Sequence, residues 1–460
     1  MTAPAFPTAP LPVSAETRLA YVLRHFRMAY TVTSLPTINY YPISNKGAQI
    51  TIGSGKDEFF TRQQPYPYSH EVSWRNWKGQ EIPFFLDDDS GQPLLELRSD
   101  GTALIDPDII SAAFYLLSGW QEYFSEERDQ HGRFPYSASV QHRYGFVTMP
   151  VVNYYFDVLK TAVEHVTGQP LTPRRWANGA SWAAFITHDI DNLYSAWKAP
   201  AKSALRQGRL LSFGRQLWRH LTTPDAWDNL AQVQQTVASY GAKSTFFFLP
   251  EHRPAANGTP NADYKLQKVW PEAAAAIGTS EIGIHVSLGA PYHAHLKREE
   301  HRLQHLRNGV KAYGIRFHYL QWEPRITPVI LDTLLYKYDS TLGFAEYYGF
   351  RNSYCLPFYP FDFQQGKSFS FLEIPLNVMD ATLHHPRYLQ LEPEEILPAL
   401  TLMFQEIERF GGVCTVLWHN ENFDPANENT GPHQFAEIMD YLRSRNVAFV
   451  NGQEICEQMG

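Results

Sequence analysis

From Trp182 onward, short apolar runs alternate with amphipathic stretches, and this alternation leaves few folds open. Strand-like runs fall at 182–187, 244–249, 281–285, 371–374, 413–418 and 447–450, with helix-like periodicity between them at 227–240, 271–277, 297–313, 328–336 and 393–410. Apolar strands separated by helices imply parallel βαβ units, because a parallel pair needs a crossover long enough to return the chain to the same edge. Six or more such strands in one domain favour a (β/α) barrel over an open sheet.

The sequence before that point reads differently. Residues 15–30 and 151–166 carry helical patterns, and 106–122 reads as a helix opened by the Asp106-Pro107 pair, with Ile109, Ile110, Ala113, Phe114, Leu117 and Trp120 on its apolar face. Short alternating runs at 48–52 and 94–97 read as small strands. Gly168, Pro170, Pro173, Asn178 and Gly179 then break all periodicity. The expected division is a smaller α+β domain over 1–175 and an α/β barrel domain over 176–460.

Composition removes several classes of function. With 44% hydrophobic and 19% charged residues the chain can bury a core. A net charge of −8 and the lack of a basic tract argue against a nucleic-acid surface. Three cysteines, Cys355, Cys414 and Cys456, show no paired spacing, which excludes a disulfide framework or a cysteine zinc knuckle and fits a reducing compartment. The proline-rich start does not read as a secretory signal, and no window is apolar for the ~20 residues that cross a bilayer, so the expected location is the cytoplasm, with no membrane span. An aromatic content of 14% suits stacking on sugar rings, although aromatics serve equally as core.

Chemistry concentrates at the ends of the strand-like runs, where barrels of this kind carry their working groups. The run Phe185-Ile186-Thr187-His188-Asp189-Ile190-Asp191 ends in two carboxylates two positions apart. Alternate residues of an extended chain face the same way, so the pair can share a site, one holding a cation and the other acting as a base. A strand-end Asp also caps helices and turns, and that reading stays open beside the first. Two further runs end in histidine, His285 and His419, and imidazole is both the commonest metal ligand and a general acid near neutral pH. Arg316 can hold a buried carboxylate with its fork of donors. His301 and His305, spaced among Arg and Glu, read as a solvated helix face.

In their order along 182–423 these pieces resemble the polysaccharide deacetylase family, carbohydrate esterase family four. More particularly they resemble a branch whose first motif reads D-[IV]-[DE], here Asp189-Ile190-Asp191, with Arg316-Phe317-His318-Tyr319-Leu320 and Gly349-Phe350-Arg351 as its later segments and Tyr338-Asp339-Ser340-Thr341 fitting the same branch. The resemblance implies a distorted (β/α) barrel of the polysaccharide deacetylase type. It implies Asp189 as catalytic base, Asp191 and His285 as metal ligands, Arg316 as the orienter of Asp189, His419 as general acid, and the backbone N–H of Tyr319 in an oxyanion hole. The N-terminal portion looks like the uncharacterised domain that accompanies such deacetylases, which implies no activity by itself. One departure stands out: the family's second metal histidine would fall at position 289, which is Gly289. Catalytic zinc keeps three protein ligands. The expected third is His318, in the branch motif and two positions from Arg316, with His293 and His295 as alternatives.

The expected function is therefore removal of an N-acyl group, acetyl or formyl, from an amino sugar of a polysaccharide or its precursor, with a divalent ion, zinc first, as cofactor and a carbohydrate as partner. A carbohydrate-binding or scaffolding protein on a decayed barrel, and a hydrolase of a non-sugar amide, are the competing expectations.

Overall fold

The computed structural model describes residues 10–40, 47–53, 57–88, 91–288, 293–427 and 431–460. Its centre is a sheet of parallel strands: β1 (Ala183–Ile190), β2 (Ser244–Phe248), β3 (Glu281–Val286), β4 (Gly314–Phe317), β5 (Tyr338–Asp339), β6 (Leu372–Glu373), β7 (Val378–Met379), β8 (Val413–Leu417) and β9 (Ala448–Phe449). Their order is β6-β5-β4-β3-β2-β1-β8-β7, with β9 paired to the start of β1. Every residue of β1, β2 and β8 is buried, as expected of parallel strands covered on both faces.

The sheet is curled. Ile374 N–H bonds to Asp339 O at one end of the strand order, while Asn377 N–H bonds to Thr415 O at the other. Three residues of chain span at most about 11 Å, so the two ends must approach each other. The architecture is a distorted, incompletely closed (β/α) barrel preceded by a smaller α+β region.

Several boundaries differ from those expected. The strand-like 182–187 extends to Ile190 because its last residues pair with Phe246, Phe247 and Phe248. Strands β4, β5 and β7 carry no alternation long enough to be read from sequence. Pro271 lies inside the helix Leu266–Ile277 instead of opening it, and the 297–313 helix runs as His293–Leu306, freeing the chain for β4. In the N-terminal region the helix expected over 106–122 is two helices, Ile109–Leu117 and Trp120–Phe124, separated by Gly119 at φ 73. Its cap is Asp108, whose Oδ1 accepts from Ser111 N–H at 2.8 Å, while Asp106 pairs with Arg75.

The two regions share one continuous hydrophobic core running from Val13 to Met459. Arg351 of the Gly349-Phe350-Arg351 segment is fully engaged in joining them: it pairs with Glu122 through two bonds of 2.8 and 2.6 Å and donates to Gly343 O. His25 makes a second junction. Its Nδ1–H donates to Tyr21 O at 2.8 Å and its Nε2 accepts from Tyr359 N–H at 3.0 Å, so a neutral ring is required.

Candidate active site

The C-terminal ends of β1, β3, β4 and β8 bring the predicted polar residues to one place. Asp189 is the penultimate residue of β1 and Asp191 follows the strand; His285 lies in β3; Arg316 lies in β4 and His318 directly follows it; His419 follows β8. His285 and Arg316 are registered partners across β3 and β4.

Three side chains converge most closely. His285 Nε2 lies 3.0 Å from His318 Nδ1 and 3.3 Å from Asp191 Oδ1, and His318 Nδ1 lies 3.4 Å from the same oxygen. Four-coordinate zinc with bonds of about 2.0–2.1 Å holds its ligand atoms about 3.3 Å apart, close to these separations. Asp191 Oδ1 is buried with no hydrogen-bond partner, a costly state that a cation would relieve. His285 Nδ1–H donates to Arg316 O at 3.0 Å, which turns Nε2 inward, the usual outer-shell arrangement for a ligating imidazole; burial would lower this imidazole, but Asp189 and Asp191 beside it raise it, so a cation bound here would displace a proton. The chemistry of this donor set fits a divalent metal ion. Burial would raise the Asp191 carboxyl, but His318, His285 and His419 around it hold it well below the ordinary range. Burial pushes the His318 imidazole down to about 4, so it is neutral and able to ligate.

Asp189 sits beside this cluster, with Oδ2 at 3.7 Å from His285 Nε2. Its Oδ1 accepts from Arg316 Nη1 at 3.0 Å. Arg316 is wholly buried, and its remaining donors reach Thr187 Oγ1, Ser340 O and Ser340 Oγ at 2.7–2.9 Å, so the guanidinium can take up only one position. Tyr338-Asp339-Ser340-Thr341 thus serves as the cradle for Arg316.

On the opposite side His419 Nε2 lies 3.7 Å from Asp191 Oδ2. Its Nδ1–H donates to Asp380 Oδ1 at 2.7 Å, and Asp380 Oδ2 accepts from the His419 backbone N–H and from Asn422 Nδ2, each at 2.6 Å. Burial would lower the His419 imidazole, but Asp380 outweighs it and pushes it up to about 10. Asp380 carried no sequence signal, since it follows a two-residue strand. Nearby, burial pushes the Glu421 carboxyl up to about 7, and Asn192 Nδ2 donates to it at 2.6 Å.

Tyr319 lies at φ 58, followed by Leu320 at φ 54. Left-handed backbone costs a residue with a side chain about 1–2 kcal/mol, so something must hold it. Part of the hold comes from the N-terminal region: Arg133 Nη1 donates to Tyr319 O at 3.1 Å, and the His131 ring stacks on the Tyr319 ring at 4.7 Å and 9°. Asp129 fixes that arginine by bonding its Nε and its backbone N–H. No sequence pattern ties residues 129–133 to a segment some 186 positions away.

Among the described residues, other histidines are not in the cluster. His188 points to the other face of β1, where Nδ1–H donates to Trp418 O at 2.7 Å and Nε2 meets Ser244 Oγ at 3.2 Å. His295, one alternative third ligand, is exposed, as are His301 and His305. Gly289 and the side chain of His293 lie outside the described residues.

Residues 14–168 match a protein family described as a family of unknown function (DUF7033). None of the curated proteins matches the chain. Among solved structures the chain is similar to a protein described as a polysaccharide deacetylase from Mycobacterium smegmatis, at 17% identity and a TM-score of 0.43 over 63% of this chain and 94% of that one. It is also similar to Puue allantoinase, at 14% identity and a TM-score of 0.39 over 62% and 93% of the two chains. A protein described as a polysaccharide deacetylase from Pseudomonas aeruginosa PAO1 aligns at 13% identity and a TM-score of 0.40 over 62% and 92%.

Proposed function

We propose that the chain is a divalent-metal-dependent amide hydrolase that removes an N-acyl group, acetyl first, from an amino sugar of a polysaccharide or its cytoplasmic precursor. The observation that carries the reading is the convergence of Asp191 Oδ1, His285 Nε2 and His318 Nδ1 within 3.0–3.4 Å of one another, flanked by an Arg316-held carboxylate and an Asp380-held imidazole. Bound there, a divalent ion, zinc above others, supplies Lewis acidity toward an amide carbonyl and toward water. Asp189, its Oδ1 occupied by Arg316, keeps Oδ2 to take a proton from the attacking water. His419 Nε2 returns a proton to the departing amine, while Asp380 keeps the ring oriented and favours its charged form. The C–N bond breaks, water supplies a hydroxyl to the acyl carbon, and the sugar amine leaves protonated. Tyr319 N–H, on its left-handed turn, stabilises the developing oxyanion.

The test is release of acetate or formate from N-acylated hexosamines, soluble and glycan-borne, by protein loaded with zinc. Turnover should depend on added metal, and Asp189→Asn should keep the metal while losing about 10²–10⁴ in rate. Saturable sugar binding with no acyl release from any donor would instead favour a binding protein on the same barrel. Release from non-sugar amides alone would move the substrate outside the carbohydrates.

A further inference from the structure

Immediately after the β1 carboxylates the chain makes a helical excursion, Lys198–Arg206 followed by Leu210–Thr222. Its neck is closed. Asp225 Oδ1 accepts from both Ala196 N–H and Trp227 N–H at 3.1 Å, and Asn420 Nδ2 donates to Asn192 O and Trp227 O at 2.9 and 2.8 Å. The hairpin is therefore rooted between Asp191 and the residue that follows His419, at the site end of the sheet.

Its second helix is turned inside out for a protein in water. Phe213, Gln216 and His220, three or four residues apart, are its half-buried side, and His220 stacks on Trp197 at 4.4 Å. The apolar stripe faces away: Leu210, Leu211, Trp218 and Leu221 are 68–93% exposed, with Leu217 beside them. At 100° per residue these five lie within an arc of roughly 120°, wide enough for a continuous apolar face. Leu205 of the first helix adds to the exposed apolar surface, and no residue of the second helix is fully buried. Elsewhere among the described residues exposed large apolar side chains are scattered.

The charge on this hairpin is one-sided. Lys198, Lys202, Arg206, Arg209, Arg215 and Arg219 all lie within it, and no Asp or Glu occurs between Asp191 and Asp225, in a chain whose net charge is −8. None of the six makes an ion pair among the described residues. Arg215 and Arg219 sit one turn apart beside the apolar stripe. A leucine and tryptophan face bordered by unpaired cations is complementary to an anionic bilayer surface, where apolar side chains enter the acyl boundary and the cations meet phosphate headgroups.

We propose that this hairpin docks the protein on an anionic membrane surface without spanning it. Because its neck is tied to both sides of the candidate active site, docking brings that site to the headgroup layer. On the function proposed above, this narrows the substrate to an amino sugar carried on a lipid or presented at the bilayer; the docking itself does not rest on that reading.

The experiment is co-sedimentation of the full chain with phosphatidylcholine vesicles, either neutral or containing ~30% phosphatidylglycerol, at low and high salt. Binding to the anionic vesicles should exceed binding to neutral ones by about tenfold or more and should weaken with salt. Leu211→Glu/Trp218→Glu and, separately, Arg215→Glu/Arg219→Glu should each cost about tenfold or more. All four positions are exposed, and an unchanged circular dichroism spectrum establishes that the fold is retained. No binding by the wild type, or binding indifferent to both double variants, overturns the proposal. So does self-association abolished by Leu211→Glu/Trp218→Glu in protein that ignores vesicles, which would assign the face to a second copy of the chain. Acyl release from a soluble donor, measured in parallel, separates the two readings: turnover without vesicle binding sinks the docking alone, and vesicle binding without turnover leaves the docking standing.

Discussion

Replacing Arg316 with Met tests how the candidate base is held. The guanidinium is wholly buried and makes four bonds of 2.7–3.0 Å, one of them to Asp189, itself almost fully buried. Methionine fills much of the same volume but leaves the Asp189 carboxylate without its cation and Ser340 O without that donor. Removing one member of a buried pair commonly costs about 3–5 kcal/mol, most of it from the charge left behind. If that is the origin of the cost, converting the stranded carboxylate to an amide should recover part of it. In metal-free protein, Arg316→Met/Asp189→Asn should therefore be about 2–3 kcal/mol more stable than the sum of the single substitutions predicts. Urea unfolding at constant pH, followed by far-UV circular dichroism and extrapolated linearly, supplies the four free energies. Effects that add to within about 0.5 kcal/mol would refute the coupling and reduce Arg316 to a packing residue.

Two further predictions concern the junction between the regions. His25 is buried with its pKa pushed down to about 3, chiefly by burial; between pH 3 and its ordinary 6.5 the unfolded chain binds the extra proton, so this contribution is complete above about pH 7 and is lost as pH falls, by about 2 kcal/mol at pH 5. His25→Gln should flatten the difference in urea stability between pH 7.5 and pH 5 by about that amount, and parallel profiles for the two proteins would contradict it. Arg133→Met, by releasing the Tyr319 carbonyl from its N-terminal support, should lower kcat about tenfold with KM little changed and with partial rescue in Arg133→Lys, as steady-state kinetics would read. Unaltered kcat in Arg133→Met would leave that contact structural only.

The parts of the molecule legible in sequence are those whose burial is periodic. β1 announced itself because all eight residues are buried, and the Asp189 and Asp191 spacing survived because both carboxylates come within 3.7 Å of His285 Nε2. The alternation of strands and helices gave the barrel for the same reason. Two-residue strands such as Tyr338–Asp339 and Val378–Met379 have no period to read, and Asp380, which holds His419, went unseen with them. Arg133 and His131 act across regions far apart in the chain, which local pattern cannot reveal. The hairpin is a different case: sequence periodicity can mark Leu210–Thr222 as amphipathic but cannot say that its apolar stripe faces out.

Asp191, His285 and His318 together should hold one divalent ion. The most direct test is zinc affinity by chelator competition for the wild type, His318→Ala, His285→Ala and His295→Ala. About one tightly held ion per chain is expected in the wild type, with affinity lowered by a similar margin in His318→Ala and His285→Ala and unaffected in His295→Ala. Wild-type affinity in His318→Ala would contradict this, as would a wild-type protein that holds no zinc at all.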